Sequence, residues 1–305
     1  MRAEKTSFIE GALYGALVGD AFALGAHWVY DVAEIKAKFP LYEHFYDPVS
    51  ALHQGKKAGD FTHYGDQCIW LLESISLEKE FSLASFSSRW KKYMAGYTGY
   101  IDAASVTALQ NLSSGKSALE SGSSAQDLGA LGRIAPLVLL YHNQQKSFED
   151  AAVLQTRMTH NGPLIVETAR FFTRLLFLVL QGNSPKDSLS ALLLEAKEAK
   201  IQKWIKLAFS SAKHDSTEAI GSFGQSGSVG SAFVSILHLI VKYEEDYAEA
   251  MKQNAAAGGD SALRGMLLGM ILGAHNGLES IPKEYLNALN SKARIYAYLR
   301  GLFND

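Results

Sequence analysis

The sequence predicts an all-α fold, and three observations carry that reading. Only six prolines interrupt 305 residues. Long segments such as Ser188 to Phe209 set Leu, Ile and Ala at helical spacing between Lys and Glu, the pattern of an amphipathic helix. Strand-like alternation of apolar and polar residues is scarce. With 48% apolar residues the chain can bury one large core or two modest ones. The Ser/Gly-rich pieces Ser113 to Ser124 and Gly221 to Gly230 are only loop-length, so residues 1–305 are expected to form a single domain.

The first helix is expected over Ser7 to Leu24, where Gly11, Gly15 and Gly19 recur every fourth residue. The next spans Asp66 to Leu77, opened by Thr62, His63, Tyr64 and Gly65, with Thr62 or Asp66 as cap or first-turn acid. Helices over Leu83 to Met94 and Ala103 to Asn111 follow. The polar turn Thr159-His160-Asn161-Gly162-Pro163 leads into a helix over Leu164 to Leu180. A loop containing Gly224, Gly227, Ser228 and Gly230 feeds a helix over Val229 to Tyr243 and offers backbone N–H groups to an anion such as a phosphate. Helices over Tyr247 to Ala256 and Ala262 to His275 complete the series, the latter repeating the four-residue spacing at Gly265, Gly269, Gly273 and on to Gly277. Each glycine costs a helix about 1 kcal/mol against alanine, so the two stripes imply close backbone packing. Asp20 directly follows the first stripe and Asp260 precedes the second. Helices packed side by side would bring both carboxylates towards one cleft.

Composition narrows the partners. A formal charge of −2 gives no basic field for nucleic acid or anionic membrane, so a small ligand is expected. Phe171 to Leu180 is interrupted by Arg174 and Met266 to Ala274 is too short to span a bilayer. Met1 to Glu10 lacks the apolar stretch and cleavage site of a signal peptide. The lone cysteine, Cys68, excludes an internal disulfide and a cysteine zinc site, reads as a small core residue, and fits a cytoplasmic location. No nucleophile elbow, Walker loop, dinucleotide fingerprint or H-E-x-x-H helix occurs.

The residues left for chemistry are few. Asp260, before a helix, is a helix cap or a metal or sugar contact. His63 and Tyr64 are general acid/base candidates or packing groups. His160 is a ligand contact or part of its turn.

Taken in order, these motifs resemble the ADP-ribosylglycohydrolase family, which includes the dinitrogenase reductase-activating glycohydrolases and the jellyfish J1 crystallins. The run Gly11-Ala-Leu-Tyr-Gly-Ala-Leu-Val-Gly-Asp20-Ala resembles the family's opening helix, and Thr159-His160 with Pro163 its Thr-His-x-x-Pro element. Arg133, Ala135, Pro136 and Leu137 resemble the segment after its ligand-binding loop. Tyr247 to Pro282 resembles its C-terminal signature, and the likeness runs from about residue 7 to residue 283.

The resemblance implies an orthogonal helical bundle whose cleft holds two magnesium or manganese ions and hydrolyses the glycosidic bond of an ADP-ribose conjugate. It implies metal ligands from a Thr-Asp-Asp-Thr and an Asp-x-Asp-Thr element. Here these read Thr62-His63-Tyr64-Gly65 and Asp260-Ser261-Ala262-Leu263, with His27 and Trp28 near the place of a further acid. Two adjacent dications need several carboxylates, so a two-metal centre is not expected. One magnesium on Thr62, Asp260 and the displaced Asp66, with waters, remains chemically admissible. Asp20, Gly129, Ala130, Arg133 and His160 are expected to contact the ligand.

Three functions follow as expectations. One is a rewired hydrolase of ADP-ribose or a related nucleoside, with Asp260 and Asp66 as acid/base groups and His27, His63 and Tyr64 in place of metal-bound groups. The others are a non-catalytic ADP-ribose or nucleotide binder and a crystallin-like structural protein. A cluster of His27, His63, Tyr64, Asp66 and Asp260 favours the first.

Overall fold

The computed structural model describes residues 2–303; Met1 of the opening stretch and residues 304 and 305 lie outside the described residues. Helices α1 (Arg2–Ala23), α2 (Val32–Lys38), α3 (His63–Glu78), α4 (Leu83–Ala95) and α5 (Ala103–Ser113) form the first third. A 3-10 segment, Gly129–Leu137, runs into α6 (Val138–Tyr141), followed by α7 (Gln145–Arg157), α8 (Pro163–Leu180), α9 (Pro185–Glu195) and α10 (Ala199–Ser211). The chain closes with α11 (Ser216–Phe223), α12 (Val229–Lys242), α13 (Tyr247–Ala256), α14 (Ser261–Asn276), α15 (Lys283–Ala288) and α16 (Lys292–Phe303). Among the described residues the fold is all-α, and two isolated bridges, Ser123 with His160 and Asp127 with Ser228, are its only sheet-like pairs.

The two glycine stripes interlock at the centre. A β-carbon on Gly15 would fall 2.9 Å from the Gly269 carbonyl carbon, and one on Gly269 would fall 2.7 Å from that of Gly15. Gly11 faces Gly273 and Gly19 faces Gly265 in the same way, so α1 and α14 run antiparallel with their backbones touching. Tyr247 of α13 pins the seam by donating to Gly15 O at 2.9 Å. The window Thr6–Ala26 is long and apolar enough to cross a bilayer, yet 83% of it is buried here, as befits a core helix.

Two expectations shift. α3 starts three residues early because the Thr62 hydroxyl accepts from Tyr64 N–H, making Thr62 its cap. The expected amphipathic stretch Ser188 to Phe209 is two helices, broken where Ala196 and Glu198 turn extended. The break lets Leu189 and Leu192 on one side, and Ile201 and Ile205 on the other, reach the core separately.

Candidate functional site

The site is built on the N-terminus of α3, which Asp20 holds against α1. Asp20 accepts from Thr62 N–H at 2.7 Å and from the Thr62 hydroxyl at 2.5 Å. Gly65 leaves room for the Asp20 carboxylate, since a β-carbon there would lie 2.5 Å from Oδ2. Burial pushes the Asp20 carboxyl up to about 7, against the opposing pull of its bonds to Thr62. Asp20 was expected as a ligand contact. With both oxygens committed to Thr62 and no exposed surface, it positions α3 instead.

Asp260 enters from the other side. Gly258 and Gly259 both sit at φ +64, a left-handed turn that glycine tolerates, and the Asp260 N–H donates to Gln225 O at 2.8 Å. Arg264 is 1% exposed and locks the turn through Asn254 and Gly258 O. Asp260 Oδ2 accepts from Tyr64 Oη at 3.1 Å, while Oδ1 has no hydrogen-bond partner. Burial raises this carboxyl to about 7, with the Tyr64 bond and the Arg264 charge opposing. Its side chain makes no helix-capping bond. His27 does that work, its Nδ1 accepting from Ala262 N–H at 3.2 Å, which puts the ring proton on Nε2. His27 Nδ1 is also 3.8 Å from Asp260 Oδ1.

Between these walls lies a cluster of rings. His27 stacks on Trp28 at 4.4 Å and on His53 at 5.0 Å, and His63 sits 3.8 Å from Tyr64 and 5.5 Å from Trp28. Tyr100 meets Trp28 edge-on at 4.5 Å. Trp28 holds a positive φ of 62, fixed by N–H donation to Gly259 O and by the reciprocal Gly259 N–H to Val29 O. His27 Nε2, His53 Nε2 and both His63 nitrogens lack hydrogen bonds. Burial lowers the histidines: His27 lies well below its usual value, and His53 and His63 fall to about 4. For His63, Asp102, 3.7 Å away, only partly offsets burial. All three rings are neutral at pH 7.

A directed chain of hydrogen bonds forms the third wall. Arg133 Nη2 donates to Thr159 Oγ1 at 2.6 Å, and since arginine cannot accept, the Thr159 hydroxyl donates to His160 Nδ1 at 2.9 Å. His160 Nε2 therefore carries the proton and donates to Asp127 Oδ1 at 2.9 Å, an oxygen that also accepts from Gly129 N–H. Gly129 keeps this corner open, for a β-carbon there would sit 2.9 Å from Asp127 Oδ1 and 3.2 Å from the Tyr64 ring.

The structure gathers His27, His63, Tyr64 and Asp260 in one place, with Gly129 and His160 beside them. Four expectations change. Asp66 stands apart, bonded to Lys56 and Tyr97 at 2.6 Å each. Arg133 is 2% exposed with its donors spent on Gln67, Gln155 and Thr159, so it supports the wall rather than reaching a ligand. Ala130 is wholly buried, and its carbonyl accepts from Gln155. The Gly224–Gly230 loop is no anion cradle: Val229 N–H is spent on Gln126 O, and the Asp260 carboxylate abuts Gly227.

The donors do not fit magnesium either. The Thr62 hydroxyl is turned onto Asp20, Asp260 is ringed by imidazole and phenol, and no group of three or more His, Cys, Asp or Glu among the described residues converges on an ion position. Residues that sequence reading missed are His53, Tyr100, Asp102 and Asp127. Of these only Asp127 carried a signal, lying two residues before Gly129.

Comparison with known proteins agrees with this architecture. The ADP-ribosylglycohydrolase family model matches residues 1–305. Crystallin J1A and crystallin J1B of Tripedalia cystophora are each 24% identical, J1A over 96% of this chain and 95% of its own, J1B over 91% and 90%. An uncharacterized protein of Archaeoglobus fulgidus is 25% identical over 92% of this chain and 90% of its own. A solved ADP-ribosylglycohydrolase-related protein complex superposes with a TM-score of 0.75 at 23% identity, covering 99% of this chain and 98% of the other, a likeness of fold. The chain belongs to the ADP-ribosylglycohydrolase family.

Proposed function

We propose that the chain is a hydrolase that cleaves a glycosidic bond of ADP-ribose or a related nucleoside, with Asp260 as its acid and without a two-metal centre. One observation supports it above the rest: Asp260 is buried, held by Tyr64 through one oxygen, and leaves the other without a hydrogen bond beside His27. A carboxyl raised to about 7 keeps a protonated fraction at neutral pH, which suits a general acid. Its proton passes to the glycosidic heteroatom as the bond to C1′ breaks, and water supplies hydroxyl to C1′. Glycoside hydrolysis of this kind runs on carboxyl groups alone. The neutral imidazoles of His27 and His63 line the site without opposing the positive charge that develops at C1′.

A second reading, a crystallin-like structural protein or a non-catalytic ADP-ribose binder, is favoured by the burial of the cluster. His63 is 2% exposed and Tyr64 and Asp260 are 6% exposed. Turnover of ADP-ribosyl and ribosyl N- and O-glycosides by the wild-type protein and by Asp260→Asn separates the readings. Hydrolysis that Asp260→Asn loses by 10²-fold or more, roughly the worth of a general acid, is expected. No release above the buffer blank would leave the structural reading, and calorimetric binding of ADP-ribose without release the binder.

A further inference from the structure

Glycoside hydrolysis needs a second group, one that takes a proton from the attacking water. Asp66, the expected partner of Asp260, is neutralised by Lys56. Asp127 is placed differently. The Asp127–Leu128 strip pairs with Gly227–Ser228, Leu128 N–H donating to Gly227 O at 2.9 Å, and Gly227 is the residue against which the Asp260 carboxylate lies. The two acids thus stand on adjoining strips, with the Tyr64 ring reaching from Gly129 beside one to Oδ2 of the other. The Asp127 side chain is 41% exposed, so water reaches it. Only Oδ1 is engaged by His160 and Gly129.

We infer that Asp127 is the second catalytic carboxylate of this site, the base for the attacking water, and that Thr159 and His160 position it; this rests on the hydrolase reading above. The balance is simple. The water oxygen bonds to C1′ as the C1′–heteroatom bond breaks, one water proton goes to Asp127, and the Asp260 proton goes to the leaving group. Solvent then returns the proton from Asp127 to Asp260, so one water is consumed. The environments of the two acids differ in the required sense. Burial works against charge at Asp127, but the hydrogen bonds from His160 Nε2 and Gly129 N–H favour the carboxylate, and the carboxyl is held below its ordinary range. The other groups facing it are Asp260, Tyr64 and Tyr100 and, at the far end of the Thr159–His160 chain, the Arg133 guanidinium, whose positive charge also favours the carboxylate.

The test uses Asp127→Asn and Asp127→Ala in the full chain. Asparagine keeps an Oδ1 that accepts from both His160 and Gly129, so the fold and KM should hold while kcat falls by roughly 10² to 10⁴. Azide added to Asp127→Ala should restore turnover and yield a glycosyl azide, which no structural role produces. If the wild type turns over and Asp127→Asn keeps kcat within about threefold, with no azide product from Asp127→Ala, Asp127 is only a loop staple and the hydrolase reading survives without it. A wild type that hydrolyses nothing overturns both.

Discussion

Alanine in the glycine seam sets two physical effects against each other. In isolation, Gly→Ala stabilises a helix by about 1 kcal/mol. At Gly269 the new methyl would sit 2.7 Å from the Gly15 carbonyl carbon, with the Gly15 carbonyl oxygen closer still, where carbon–carbon contacts settle near about 3.5 to 4.0 Å. The obstacle is backbone, which no rotamer change relieves, so α1 and α14 must part by roughly 1 Å along a seam that Tyr247 also holds. Overpacking of this kind costs typically 1–3 kcal/mol, and here the upper end applies, leaving a net loss of about 2 kcal/mol. Gly221 of α11 is the internal control: it is exposed and a β-carbon there meets nothing within 4 Å. For a chain of this length unfolding entropy corresponds to about 0.6 kcal/mol per degree. Thermal melts followed by circular dichroism should then show Gly269→Ala down by about 3 °C and Gly221→Ala up by about 2 °C. If Gly269→Ala melts at or above the wild type, the two helices are not in backbone contact.

The buried titrating groups make stability depend on pH in two opposed ways. His53 and His63 fall from an ordinary value of 6.5 to about 4 in the fold, so the stability they allow is full above pH 6.5 and lost as pH falls towards 4, by up to roughly 3 kcal/mol each. Asp20 and Asp260, raised from 3.8 to about 7, work the other way and cost stability as pH rises from about 4 to 7. His53→Phe should accordingly gain on the wild type in melts as pH drops from 6.5 to 4, and an unchanging difference would mean His53 is solvated. Thr159→Val removes the hydroxyl between Arg133 and His160, strands two buried polar groups, and should cost about 1–3 kcal/mol by denaturant titration; a loss below about 0.5 kcal/mol would show that the chain of bonds is not formed.

The seam was readable because a four-residue glycine period has one plain physical meaning, and its two stripes matched each other. Asp260 and the residues at the start of α3 were readable for the same local reason: they lie at helix starts. Asp102 was not, and Asp127 only by its nearness to Gly129, because their roles come from the approaches of Asp102 to His63 and Asp127 to His160 that no sequence spacing encodes. His53 belongs to the site only because its loop folds its ring onto His27 and Trp28. Arg133 misled in the opposite direction. An arginine in a loop that resembles a ligand-binding segment suggests a phosphate contact, and nothing local reveals that Gln67 and Gln155, from two other helices, turn it inward.

The central claim is that this site works through side-chain carboxyls with no ion between them. It is met most directly by the rate of glycosidic cleavage after exhaustive chelation, compared with the rate in added magnesium. The account predicts equal turnover in both conditions. Turnover abolished by the chelator and restored by magnesium would contradict it.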